Sequence, residues 1–127
     1  MDASDVMCET AAQLGIQTLR GFFGESSNLL SQIQAISYEW DLVIANNVLN
    51  HSSELWNFLN NVKTLLSKNG KFVFEVPYWY NTIHDLRFDQ IYHEHMYYFT
   101  AKSIREIANS LELNVDDINL IDYHGGS

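Results

Sequence analysis

An α/β fold with parallel strands is predicted by three features of this 127-residue sequence. Helical and extended patterns alternate with short connections up to Pro77, which implies parallel strands joined by right-handed helical crossovers. The run Leu42-Val43-Ile44-Ala45 is continuously apolar, as in a strand covered on both faces. Leu55, Phe58, Leu59, Val62, Leu65 and Leu66 form an apolar helical stripe of the kind that covers such a sheet.

Each element has its own signal. Ser4 caps a helix running to about Leu14, and Asp5 lies in its first turn near the positive end of the helix dipole. Val6, Met7, Thr10, Ala11 and Leu14 fall at helical spacing, and Gly15 ends the run. Ile16 to Phe23, bounded by Gly15 and Gly24, reads as a short strand. Ser26 or Ser27 opens a second helix with Leu29, Leu30, Ile33 and Ile36 on one face. Trp40 to Ala45 is the next strand, ended by Asn46-Asn47. Ser52 or Ser53 caps the third helix, and Lys68-Asn69-Gly70 closes it with a basic turn and a glycine. Lys71 to Val76 is a strand stopped by Pro77, the only proline. Tyr78 to Phe99 breaks the alternation with a long, aromatic, irregular insertion, a kind of segment more often functional than structural. Thr100 or Ser103 then caps a helix through Leu111, and Val115 to Tyr123 reads as a last strand.

Composition narrows the function. The chain is long enough for one domain with a core and too short for two. Seven Lys plus Arg against sixteen Asp plus Glu give a formal charge of −9. Such a surface cannot displace counterions from a phosphate backbone, so neither nucleic acid nor an anionic membrane is an expected partner. Cys8 is the only cysteine, which excludes an intrachain disulfide and a thiolate zinc site. A reducing, cytoplasmic setting is expected. No apolar run approaches the roughly 20 residues of a membrane span.

Chemistry concentrates in Asp89-Gln90-Ile91-Tyr92-His93-Glu94-His95-Met96-Tyr97-Tyr98-Phe99. Titratable groups are crowded there beside apolar side chains, the mixture that tunes proton affinity. Three readings of Tyr92-His93-Glu94-His95 stand side by side. A histidine with a neighbouring carboxylate to orient it, and tyrosine hydroxyls to steady an oxyanion, suits general acid–base work. A His-x-His pair also suits metal ligation, but no third ligand follows at a short regular spacing; His84 or His124 would have to be recruited. Finally, these polar groups can simply fix an irregular loop by hydrogen bonds. His51, beside Ser52, reads as local capping and Cys8 as a small buried hydrophobe.

Ligands of open parallel sheets bind outside the carboxyl ends of the strands. Three such ends carry special residues: Phe22-Phe23-Gly24-Glu25, Asn46-Asn47 and Glu75-Val76-Pro77-Tyr78. Asp2, just before a helix, stands where nucleoside-binding folds place an acid for ribose hydroxyls, although the helix dipole alone explains an acid there.

The stretches 41–51, 70–78, 88–99 and His124-Gly125-Gly126-Ser127, in that order, together with Gly21-Phe22-Phe23-Gly24, resemble S-adenosylmethionine-dependent C-methyltransferases that act on nucleotide-linked keto-deoxysugars. The resemblance covers almost the whole chain. It implies a Rossmann-like class I methyltransferase three-layer sandwich, truncated, with the first strand and its glycine-rich loop missing. It further implies a partial methyltransferase domain over 1–127, with a cofactor-binding half at about 1–77, a substrate and catalytic insertion at about 78–99, and a closing helix and strand at about 100–127. His95 would be the base that takes a proton from the carbon beside the sugar ketone, with Glu94 and Tyr92 as its neighbours. Asp2 would meet the cofactor ribose, Phe22 and Phe23 the adenine, and Asn46 and Asn47 the methionine part. Tyr78, His93 and His124 would line the nucleotide-sugar site. No metal is implied at these residues. The family's N-terminal zinc-binding cysteine module has no counterpart here, since only Cys8 is present. The chain is therefore expected to be the middle of such an enzyme, to bind S-adenosylmethionine weakly by itself, and to self-associate through an exposed sheet edge. A non-catalytic fragment or remnant is the alternative, and a His-x-His metal protein a further one.

Overall fold

The computed structural model describes residues 1–123 and 126–127; the expectation for His124 lies outside them. The architecture is mixed α/β: five α-helices, two 3-10 turns and a two-stranded parallel sheet among the described residues. Two compact units divide the chain, one of Met1–Leu42 with Glu54–Lys71 and one of Val43–Ser53 with Phe72–Ser127. Both strands contribute residues to each unit.

In the first unit, α1 (Asp5–Gln13) starts where Ser4 accepts the Met7 amide at 3.4 Å. It stops at Leu14, and Gly15 follows at φ +74°, the left-handed geometry that glycine tolerates. The helix is as expected, but its apolar stripe is not used. Val6, Met7 and Leu14 are each more than half exposed, and α1 has no buried residue. Residues 16–23 do not form the expected strand. They make one isolated parallel bridge, in which the Asp2 amide donates to the Leu19 carbonyl and the Gly21 amide to the Asp2 carbonyl. With pairing that short, no ladder can propagate.

The core of this unit lies between α2 (Ser27–Ile36) and α3 (Leu55–Leu65). Leu29 of α2 and Leu55, Phe58, Leu59, Val62 and Leu65 of α3 are all buried. Each such side chain contributes about 1.5–3 kcal/mol by leaving water. Phe23 packs edge-on against Phe58, ring centroids 4.8 Å apart. Gly24 presses its backbone against the same helix, and a β-carbon there would stand 2.8 Å from the Phe58 nitrogen.

The sheet pairs β1 (Trp40–Asn46) with β2 (Leu66–Glu75). Three expectations are corrected here. Leu66 leaves the helix and opens β2, so Lys68-Asn69-Gly70 lies inside the strand rather than at a helix stop. Gly70 serves close approach instead, since a β-carbon on it would lie 2.7 Å from the Trp40 carbonyl oxygen. Neither Ser52 nor Ser53 caps α3; Glu54 holds that position, after a 3-10 turn at Leu49–His51. Nor is β1 covered on both faces: Leu42 and Ile44 are 51% and 59% exposed, and only Ala45 is buried.

In the second unit the Asn47 amide donates to the Glu75 carbonyl at 2.9 Å, just past the end of β1. Pro77 ends the pairing, and α4 (Trp79–His84) follows at once, so the insertion is partly helical rather than wholly irregular. A second 3-10 turn at Phe88–Gln90 leads into the irregular stretch to Phe99. There a parallel bridge joins Tyr78 to Phe99, and the Trp79 amide donates to the Phe99 carbonyl at 2.9 Å. Helix α5 (Ala101–Ser110) carries a full capping box, in which Thr100 and Ser103 satisfy each other's amides. Residues 115–123 form no strand, because no partner strand lies beside them among the described residues. Ile121 instead exchanges two backbone hydrogen bonds with Ser127. No helix among the described residues is long and apolar enough to cross a membrane.

Candidate active site

The chemistry gathers in the second unit around His95, which is only 8% exposed. Its position follows from local backbone geometry. The His95 amide donates to the Tyr92 carbonyl at 3.0 Å, closing a four-residue turn over 92–95. Such a turn brings its first and last side chains together and sends the two corner residues outward. The Tyr92 hydroxyl accordingly lies 2.8 Å from His95 Nε2, with ring centroids 4.1 Å apart. His93 and Glu94 occupy the corners, with side chains 91% and 64% exposed and 3.9 Å between them.

The tautomer of His95 is set by its other nitrogen. Nδ1 stands 2.8 Å from the Gln90 carbonyl oxygen, which can only accept. Nδ1 therefore carries a hydrogen, and in the neutral ring Nε2 holds the lone pair that accepts the Tyr92 hydroxyl. The expected orienting carboxylate, Glu94, is not the group that does this. A backbone carbonyl five residues earlier holds the ring instead.

A second loop braces the first. In the 3-10 turn at Leu49–His51, the Asn50 carbonyl accepts the amides of Met96 and Tyr97 at 2.9 and 3.2 Å. The His51 ring stands edge-on to His95, 4.9 Å away. Tyr98 flanks His95 at 6.2 Å and packs on Trp79 at 4.6 Å. Sequence reading set His51 aside as a capping residue and did not single out Asn50 or Gln90. The signal for His51 was its place just past the Asn46-Asn47 strand end, on the edge where ligand loops gather. Nothing local marks Gln90, because it acts through its backbone.

The remaining expected residues are distributed as follows. Asp2, Phe22 and Phe23 belong to the first unit, and Asn46, Asn47, Tyr78, His93, Glu94 and His95 to the second. Asp2 Oδ1 accepts the Ser4 amide at 2.8 Å. Phe22 is 63% exposed, whereas Phe23 is engaged with Phe58. Asn46 is exposed, and the Asn47 side-chain amide donates to Glu75 Oε1 at 3.0 Å. The Tyr78 ring neighbours Tyr80 at 6.0 Å. Among the described residues, no group of three His, Cys, Asp or Glu is placed to hold a metal ion.

Residues 4–118 match the profile of the family described as "Methyltransferase domain", which covers most of the chain. The chain belongs to the methyltransferase-domain family, whose members generally draw the methyl group from S-adenosylmethionine. It is also 30% identical over 128 residues to the C-methyltransferase NovU of Streptomyces niveus, a match that takes in all of this chain and 30% of that protein. The chain thus spans about 30% of the length of the curated relative it matches.

Proposed function

We propose that this chain carries the base of a carbon-directed methyltransferase. The substrate class is a nucleotide-linked keto-deoxysugar, and the site of reaction is the carbon beside the ketone. The observation that carries the reading is the buried His95 imidazole, with its Nδ1 hydrogen committed to Gln90 and an Nε2 lone pair facing Tyr92. A carbon acid beside a carbonyl yields its proton only to a base in reach, with the resulting enolate oxygen stabilised. His95 is that base, and Tyr98 and His51 stand close enough to its ring to wall and polarise the site. Tyr78 and the exposed His93 are assigned, with His124, to the nucleotide sugar. Similarity to a protein named as a C-methyltransferase favours carbon over oxygen or nitrogen as the acceptor.

Taken unit by unit, the residues assigned to S-adenosylmethionine suit it in chemical type: Asp2 and the open Phe22 ring of the first unit a ribose and an adenine, and the exposed Asn46 of the second a methionine end. Asn47 contributes less freely, since its amide nitrogen is held by Glu75. When bound, the cofactor supplies an electrophilic methyl group on a sulfonium. The fold is assigned to the Rossmann-like class I methyltransferases, of which α1 to β2 represent part of the alternating unit.

The test is methyl transfer from labelled S-adenosylmethionine to a thymidine diphosphate-linked 4-keto-6-deoxyhexose, with the product read by NMR. A new C–CH3 signal is expected. An O-methyl product, or no sugar methylation while a small-molecule hydroxyl is methylated, would overturn the reading. His95→Asn is expected to lower kcat by about 10²- to 10⁴-fold while sugar-nucleotide affinity changes little.

A further inference from the structure

A row of aromatic and charged side chains runs along α4 and the turn after it. Tyr78, just past the carboxyl end of β2, neighbours Tyr80 with ring centroids 6.0 Å apart. The Tyr80 ring is in turn stacked with His84, centroids 5.8 Å apart and planes 16° apart. A carboxylate only accepts, so His84 Nδ1 donates to Asp85 Oδ1, at 2.7 Å. The other oxygen of Asp85 stands 3.6 Å from Arg87 Nε. One acid thus fixes the histidine ring and one flank of the guanidinium. The Arg87 terminal nitrogens, Nη1 and Nη2, have no partner among the described residues.

The backbone sets this arrangement. The Leu86 amide donates to the Ile83 carbonyl at 3.3 Å and the Arg87 amide to the Thr82 carbonyl at 2.9 Å, the paired bonds of a Schellman cap. Leu86 holds the left-handed position usually given to glycine, at φ +55°. Strain of that kind collects at ligand clamps. The row also adjoins the neighbours of His95. Trp79 packs on Tyr98 at 4.6 Å, and Tyr98 flanks His95 at 6.2 Å.

We infer that Tyr80 and Arg87 form a nucleoside-diphosphate subsite, with the base stacked on Tyr80 and the diphosphate held by the Arg87 fork. This rests on the functional reading above and places the nucleotide half of its substrate. Charge singles out Arg87. The chain carries −9, and Arg87 is the only Lys or Arg between Tyr78 and Phe99. A diphosphate entering that insertion needs a cation, and the guanidinium presents paired donors that match phosphate oxygens. Tyr80 is 60% exposed, which leaves ring surface for a base, and stacking of this kind tolerates any base. Asp85 is a positioning residue: it aligns the fork through Nε and leaves the terminal nitrogens to the ligand.

The experiment is titration calorimetry of the full chain with thymidine diphosphate, for the wild type, Arg87→Gln, Tyr80→Ala and Tyr80→Phe. Arg87→Gln should weaken binding about 10- to 100-fold, the range for a hydrogen bond to a charged group. It should also flatten the salt dependence, which a merely structural role would leave intact. Tyr80→Ala should weaken binding about 5- to 100-fold, and Tyr80→Phe, which keeps the ring, should restore it to within about threefold of wild type. Both positions face solvent, so the fold should tolerate the changes, and thermal unfolding checks this. Arg87→Gln or Tyr80→Ala binding within about threefold of wild type would overturn the inference. So would a wild-type chain that shows no binding at about 1 mM. The methyl-transfer assay judges the functional reading separately. Should the wild type bind thymidine diphosphate through both residues yet methylate no sugar carbon, the subsite stands and that reading falls. Should it methylate the sugar carbon with a KM that Arg87→Gln leaves unchanged, the reading stands and the subsite falls.

Discussion

The Asn50 carbonyl accepts the Met96 amide at 2.9 Å, and the amide of the next residue, Tyr97, at 3.2 Å. One backbone oxygen thus ties the turn after β1 to the loop that holds His95. The Asn50 side chain is another matter. The residue is 1% exposed, and neither its Nδ2 nor its Oδ1 has a hydrogen-bond partner among the described residues. A buried amide without partners costs about 1–3 kcal/mol per group, whereas an apolar replacement of the same shape can be neutral or better. Asn50→Leu is therefore expected to leave stability unchanged or raise it by up to about 2 kcal/mol, because the carbonyl contacts persist. Urea unfolding checks this. A loss of more than about 2 kcal/mol would show that the side chain makes hydrogen bonds of its own.

Gly24 combines a φ of +94° with a backbone packed on Phe58, whereas Gly15 has a φ of +74° and open space where a β-carbon would go. Gly15→Ala should cost about 1–2 kcal/mol, the penalty for a left-handed L-residue. Gly24→Ala adds a clash with backbone that cannot give way and should cost at least about 1–3 kcal/mol more. Equal costs for the two, read from denaturant midpoints, would show that α3 yields at Phe58.

Thr100 accepts the Ser103 amide at 3.1 Å, and Ser103 Oγ accepts the Thr100 amide at 2.9 Å. Thr100→Ala removes the Thr100 side-chain half of this box, leaves the backbone amide of residue 100 donating to Ser103 Oγ, and should destabilise the second unit by about 0.5–2 kcal/mol. Amide hydrogen exchange over Ala101–Ser110 should accelerate. Unchanged protection in the first turn would mean the helix start is held by packing alone.

Self-association through the sheet is the fourth expectation. Leu42 and Ile44 project from one face of β1 and are more than half exposed, and Val73 of β2 is 51% exposed. Parallel strands are ordinarily covered on both faces, and open edges invite pairing. Light scattering at about 100 μM, where exposed edges cause association, should show species larger than a monomer. Ile44→Lys should shift them toward the monomer. A monodisperse monomer for the unaltered chain would refute the expectation.

Elements with strong local signals were legible in the sequence. Ser4 and Gly15 bound α1, Thr100 starts α5, and the stripe from Leu55 to Leu65 packs as its spacing implied. Their determinants lie within one or two turns of chain, where capping and periodicity act. The two expected strands at 16–23 and 115–123 were not legible in the same way. β-rich composition marks a segment that fits a sheet, but a strand exists only where a partner lies beside it, and that is decided outside the segment.

The candidate site divides along the same line. Sequence alone determined the family resemblance and the crowding of Tyr92, His93, Glu94 and His95, because both are properties of residue order. Which of the four face one another was decided by the turn that the His95 amide closes on the Tyr92 carbonyl. That turn pairs Tyr92 with His95 and turns Glu94, the expected orienting group, toward solvent beside His93. His51 and the Gln90 carbonyl entered only with the tertiary structure. One comes from 44 positions earlier in the numbering, and the other acts through a backbone oxygen that every residue possesses. A side chain's chemistry is written in its identity, but its partners depend on how distant backbone segments pack, and no local spacing encodes that.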